Sequence, residues 1–271
     1  ALVQRMGRAP RERWNLFAKY FEYTYDREVE RGTYASRLLA EYKMHIVQIH
    51  AHVALLLQVE AEQKGGGAAR MGKDQLQEVI IATLDKDGYD PENSLDLARD
   101  IIKAAEERLV FLVTPEPNSF GFEIRSLQEF MAAWALTSNA EKTIDRLKAI
   151  AKASMFRNVL LFAASRLYSE LSDLRTAFPG EICDSLEEND ELAQLACAGA
   201  LLALETLEEG AALNQPTHAR ALMRRALPLL KLAPSEKHER LGRIANRDTA
   251  PILWEALEAE AEFERIFRKK E

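Results

Sequence analysis

Residues 108–136 read "RLVFLVTPEPNSFGFEIRSLQEFMAAWAL", and the local period changes twice within them. "RLVFLV" (108–113) is short, β-branched and aromatic, and "TPEPNS" (114–119) carries the prolines and asparagine of a turn. "FGFEIR" (120–125) alternates Phe120, Phe122 and Ile124 against Gly121, Glu123 and Arg125. Two-residue alternation around turn residues predicts a β-hairpin with a loop of about five residues. "SLQEFMAAWAL" (126–136) then places Leu127, Phe130, Met131 and Trp134 at i, i+3, i+4 and i+7, one face of a helix. The two apolar faces follow one another without a loop. Phe120, Phe122, Leu127, Phe130 and Trp134 are therefore the expected structural core of this region.

Working outward, the helical signal dominates. Pro10 suits a first helical turn, and Trp14, Phe17, Ala18, Phe21 and Tyr25 share one helix face until Gly32 stops it. A second helical stretch runs from about Tyr34 to Glu62 with a break near Tyr42–His45. Its end, "HVALLLQVEAE", is apolar over most of its circumference, which predicts burial on several sides. "KGGGAAR" is a loop, a helix starts near Asp74, and Ser94 is the expected N-cap of "SLDLARDIIKAAEE". From Ser138 onward only helices appear, spaced by Pro179–Gly180, Gly210, Pro216, Pro234 and Pro251. "GEICDSLEEN" and "DELAQLACAGALLALETLEEG" each read as one helix, and the series suits an irregular HEAT-like stack.

The expected fold is thus mainly α. A helical domain (residues 1–66) precedes a winged-helix-like domain with one β-hairpin (67–137) and a HEAT-like helical-repeat domain (138–271).

Composition excludes several classes. The chain has 271 residues and a net charge of -7, which opposes nucleic acid and anionic membrane overall. The two cysteines, Cys183 and Cys197, are too few for a disulfide framework, so a reduced, cytoplasmic setting is expected. The apolar run "HVALLLQV" is far shorter than the ~20 residues of a membrane span. In "SLQEFMAAWAL" only Gln128 suits a DNA-reading helix, and Arg125 alone is no basic patch, which argues against duplex DNA as a partner.

"GGGAARMGKDQ" (65–75) nearly matches a phosphate-binding loop, with Gly67, Gly72 and Lys73 in place. A helix precedes it where a strand is required, and Asp74 stands where a magnesium-binding hydroxyl belongs. An inter-helix loop with Asp74 capping the next helix is the expectation, and no nucleotide-binding residue is assigned. "LDKDGYD" lacks the acid spacing of a calcium loop. His45, His50 and His52 do not converge on one metal at helical spacing. No nucleophile motif stands out, so no catalytic and no metal residue is expected.

"FGFEIRSLQEFMAAWAL" resembles the signature that ends the winged-helix domain of NACHT-type STAND NTPases, an aromatic strand followed by His-x-Ser-Phe-Gln-Glu-Phe/Tyr-x-Ala-Ala. Ser126, Leu127, Gln128, Glu129, Phe130, Ala132 and Ala133 occupy the matching places. "RAPRERWNLFAKYFEYTYDREVERG" also looks like the helix that follows the ATPase core in bacterial members. The resemblance covers roughly residues 8–137. It implies the non-catalytic part of a nucleotide-controlled switch: a winged-helix lever and the start of a ligand-sensing repeat arm, often in defence against phage. ATP or ADP and magnesium would belong to an ATPase core before residue 1, because the chain opens without a methionine and looks like part of a longer protein. Arg125, Gln128 and Glu129 are then candidates for the interface with that core, and loss of Gln128 or Glu129 should barely affect stability. Other implied partners are a protein or other ligand sensed by the repeats, and further copies of the full-length protein. Ile124 departs from the family, standing where a histidine reaches the nucleotide's phosphates. Two alternatives stay open: a helical-repeat scaffold for a protein partner, and a STAND-type transcription regulator.

Overall fold

Trp14, Phe21 and Tyr25 lie buried along one face of helix α1 (Arg13–Glu30), and Gly32, at φ 69°, ends the run. The structure is a computed structural model that describes residues 12–67, 69–107, 109–233 and 235–267. Pro10 and Pro234 lie outside the described residues. The described chain is mainly helical with one small antiparallel sheet. It forms two compact units. One contains Trp14–Asn139 and Ala153–Ala163, the other Ala140–Lys152 and Ala164–Glu271.

In the first unit α2 (Tyr34–Glu41) starts with a capping box, Thr33 N–H donating to Ser36 Oγ at 3.0 Å. Tyr42, at φ -112° and ψ 31°, separates it from α3 (Lys43–Gln63). α3 buries Ile46, Ile49, Val53, Ala54 and Leu57, and Leu56 and Val59 remain exposed. β1 (Met71–Gly72), β2 (Leu112–Glu116) and β3 (Ser119–Phe122) form a sheet of order β1-β3-β2, with Met71 opposite Phe120 and Leu112 opposite Phe122. α4 (Lys73–Lys86) and α5 (Pro91–Glu107) precede the hairpin, and α6 (Arg125–Leu136) follows it. The hairpin turn is tighter than expected. Thr114–Glu116 continue the strand, and Pro117 and Asn118 alone make the turn, Asn118 at φ 59°.

Two further expectations change here. Ser94 does not cap α5. Asp90 does, its Oδ1 accepting the N–H groups of Glu92 at 3.1 Å and Asn93 at 3.0 Å, with Pro91 in the first turn. Ser94 is buried and donates its hydroxyl to Asp85 Oδ1 at 3.1 Å. Ile124 does not share the buried face of Phe120 and Phe122. It takes the extended N-cap position of α6 and is 47% exposed. α3 and α6 pack on each other within this unit.

The core of this unit is aromatic. Phe130 is fully buried, with ring centroids 4.7 Å from Trp14, 5.8 Å from Phe17 and 5.8 Å from Phe162. Such offset contacts add to the area that each ring removes from water. Trp14 is fully buried, so it belongs to this core rather than to an exposed interface. Trp134 is half-buried at its edge, 5.5 Å from Trp14 and 5.9 Å from Phe130.

The second unit contains α7 (Ala140–Ile150), the end of α8 (Arg157–Ser169), α9 (Cys183–Ser185), α10 (Glu191–Leu195), α11 (Ala198–Glu208), α12 (Pro216–Ala226), α13 (Glu236–Ile244) and α14 (Ala250–Phe267). Two expected helices are interrupted. "GEICDSLEEN" begins in a π-turn at Phe178–Ile182 and keeps only the short α9. The helix expected over 190–210 breaks at Cys197, whose φ of 52° is left-handed. The break lets Gly199 approach α9: a Cβ there would lie 2.3 Å from the carbonyl oxygen of Cys183. Gly199 N–H donates to Glu187 Oε1 at 2.8 Å, and Arg225 pairs with Glu187 at 3.2 Å and Asp184 at 2.8 Å. Cys183 and Cys197 are not joined by a disulfide.

Candidate functional site

The corner where β3 turns into α6 gathers the polar residues on which the sequence placed an interface. Gln128 and Glu129 point inward, 7% and 3% exposed. Gln128 Nε2 donates to Gln58 Oε1 of α3 at 2.9 Å, and Gln58 in turn donates to the carbonyl of Met155. Glu129 accepts from Arg125 Nε at 3.1 Å and from Asn158 Nδ2 at 3.4 Å. Glu62 accepts the N–H of Met155 at 2.7 Å. A buried carboxylate or carboxamide is tolerated when its polar atoms are bonded, and these are. The network therefore ties α3, α6 and residues 153–158 together inside the unit. Arg125, whose side chain is 52% exposed, is the interface candidate that faces water.

Beside it lies a small cleft of about 190 Å³ lined by Gly67, Arg70, Glu123, Arg125 and Gln128 among others. Arg70 lies across the hairpin backbone, donating to the carbonyl of Phe122 at 3.3 Å. Gly121 makes room for it: a Cβ there would meet the Arg70 guanidinium at 2.6 Å. Two guanidiniums present donors to a carboxylate or phosphate oxygen, with Glu123 opposing them. The cleft holds no hydroxyl or thiol nucleophile among these lining residues.

On the other side of the corner the surface is apolar. Leu16, Phe17, Tyr20, Ile124, Ser126 and Leu127 line a pocket of about 260 Å³.

The remaining sequence candidates sit apart from this corner. Gly65, Gly66 and Gly67 all have positive φ, as a loop after a helix requires. Gly72, not Asp74, takes the N-cap position of α4, Gln75 accepts the Gly72 N–H at 3.3 Å, and Lys73 pairs with Glu106 at 3.0 Å. The three histidines face different partners. His45 meets Asp87 at 2.9 Å and His52 meets Thr83 at 3.2 Å. His50 is fully buried, with Nδ1 2.7 Å from the Ile46 carbonyl and Nε2 2.8 Å from the Leu109 carbonyl. Burial holds its pKa below the ordinary 6.5, against the pull of the two carbonyl oxygens. Among the described residues no group of three or more His, Cys, Asp or Glu side chains is arranged to hold a metal ion. No described helix is long and apolar enough to cross a membrane.

Gln58, Glu62, Arg70 and Met155 were not singled out in the sequence. Gln58 is the one with a signal, a carboxamide within the otherwise apolar "HVALLLQV". No family model matches the chain, and no curated protein or solved structure matches it significantly.

Proposed function

We propose that this chain is the switch portion, C-terminal to the ATPase core, of a NACHT-type STAND NTPase acting in the cytoplasm in bacterial antiphage defence. In this reading the unit ending at α6 is the lever, and the helices after it begin an arm that senses a protein or other ligand. The observation that carries it is Ile124. The resemblance puts a phosphate-contacting histidine at this place, and the isoleucine here is 47% exposed beside the apolar pocket of Leu16, Phe17, Tyr20 and Leu127. One exposed apolar side chain, Ile124, at the rim of a half-buried apolar pocket suits docking of an ATPase core by contact rather than by a hydrogen bond to nucleotide. ATP or ADP with magnesium would be bound by that core, and an oligomer would form through the full-length protein.

A plain scaffold needs no ATPase core, and a transcription regulator needs a basic stripe. The exposed residues of α6 do not favour the latter, since Arg125 is its one basic residue. The test is expression of the complete open reading frame. A product that retains ADP on purification and hydrolyses ATP supports the switch. A product equal to these 271 residues and free of nucleotide refutes it.

A further inference from the structure

A different cleft, within the first unit, has the chemistry of a cation site. α2 carries Tyr34, Arg37, Leu38 and Glu41 at i, i+3, i+4 and i+7, and α5 carries Asn93, Asp96, Leu97 and Asp100 with the same spacing. These two stripes, with Tyr42 and Tyr89, line a cleft of about 590 Å³. That volume falls in the ~300–1,000 Å³ range of small-molecule sites. Leu38 and Leu97 are its buried apolar part, 7% and 8% exposed. Tyr34, Tyr42 and Tyr89 supply three aromatic rings, and Glu41, Asp96 and Asp100 three carboxylates against the single guanidinium of Arg37.

Both the Tyr34 and the Tyr42 phenol are held above the ordinary tyrosine range, Tyr34 chiefly by hydrogen bonding toward Asp100 and Tyr42 chiefly by burial. The His45 ring meets Tyr89 edge-on at 5.3 Å while pairing with Asp87. Among the described residues neither Glu41 nor Asp100 is in an ion pair, whereas Asp96 pairs with Arg99 at 2.8 Å. One ring already holds an ammonium: Lys103 Nζ lies 5.3 Å from the Tyr34 centroid. Aromatic faces attract alkylated ammonium groups through their quadrupole, and carboxylates at the same site add charge attraction without demanding a fixed geometry. An anionic ligand such as a nucleotide would be repelled here.

We infer that this cleft binds an organic ammonium cation, its alkylated head against the tyrosine rings and its charge met by Glu41 and Asp100. The inference does not depend on the switch reading. A quaternary head of the choline type and a linear polyamine share this chemistry, and the polyamine would engage a second carboxylate.

Calorimetric titration of the whole chain with choline, with spermidine and with the uncharged carbon isostere of choline tests it. One of the two cations should bind with a Kd of about 1 mM or tighter. The isostere should not bind. Tyr89→Leu and Asp100→Asn should each weaken the cation at least about tenfold. Should Tyr89→Leu not fold, Glu41→Gln with Asp100→Asn carries the same test. Choline alone binding assigns a quaternary head, and spermidine alone assigns a polyamine. No heat from either cation at about 10 mM, equal binding of the isostere, or unchanged affinity in the variants overturns the inference.

Discussion

Gln128 and Gln58, 70 residues apart in sequence, are joined by a side-chain hydrogen bond of 2.9 Å inside the first unit. A carboxamide pair in that position stabilises only while both members are present. Removing Gln128 leaves Gln58 Oε1 buried without its donor, at a cost of about 1–3 kcal/mol. Gln128→Ala should therefore lower stability by that amount in urea unfolding, contrary to what an exposed interface role predicts. Replacing both residues by leucine should be milder than the sum of the single changes, because only the Met155 carbonyl then loses a donor. Additive losses would mean the two side chains are not coupled.

Phe130 touches Trp14, Phe17, Trp134 and Phe162 and is fully buried. Phe130→Ala should cost about 3–5 kcal/mol, a large share of the ~5–15 kcal/mol that holds a domain. The expected result is a variant that is unfolded or melts many degrees lower. A melt within a degree of the unaltered chain would show that α6 is not packed as described.

Gly199 and Gly121 separate two kinds of close approach. At Gly199 the nearest obstacle to a Cβ is a backbone carbonyl at 2.3 Å, which cannot swing aside. At Gly121 it is the end of the Arg70 side chain, which can. Gly199→Ala should reach the upper part of the ~1–3 kcal/mol typical of overpacking, and Gly121→Ala should cost clearly less. Denaturant midpoints of the two variants decide the order, and the reverse order would contradict the packing of α9 against α11.

His50 supplies a pH dependence whose sign is fixed by its lowered pKa. Between that folded value and the ordinary 6.5, the unfolded chain binds the proton and the folded chain does not. The stability contributed by neutral His50 is present above 6.5 and is lost as the pH falls through and below that value. The effect should appear as a slope in unfolding free energy between about pH 7 and 5, and His50→Gln should flatten it. A slope of the opposite sign would mean the two carbonyl oxygens hold the ring as a buried imidazolium.

Periodicity made much of this fold legible and little of its site. Trp14, Phe21 and Tyr25 announced α1, and the break at Tyr42 showed as a change of face. The hairpin and α6 followed from alternation giving way to a four-residue repeat. β1 could not be seen, because Met71 and Gly72 join the sheet through backbone bonds that carry no side-chain pattern. Ser94 looked like a cap because its residue type suits one, yet Asp90 beside Pro91 suits it better. The inward turn of Gln128 and Glu129 was hidden for a related reason. Arg125 is an i,i+4 neighbour of Glu129 on one helix, but a polar helical residue reads as exposed unless its partner is known, and Gln58 and Asn158 become partners only through the fold.

The central claim is that the corner at Ile124 meets an ATPase core and moves with its nucleotide state. The direct measurement is the reactivity of Ile124→Cys toward a thiol reagent in the product of the complete reading frame. Cys197→Ser, at the free cysteine that is not fully buried, removes the background. Labelling rates are compared with ADP and with a non-hydrolysable ATP analogue. The account predicts protection in the ADP state and labelling faster by about tenfold or more when the lever is released. Equal rates in both states, at the rate of the isolated chain, would contradict it.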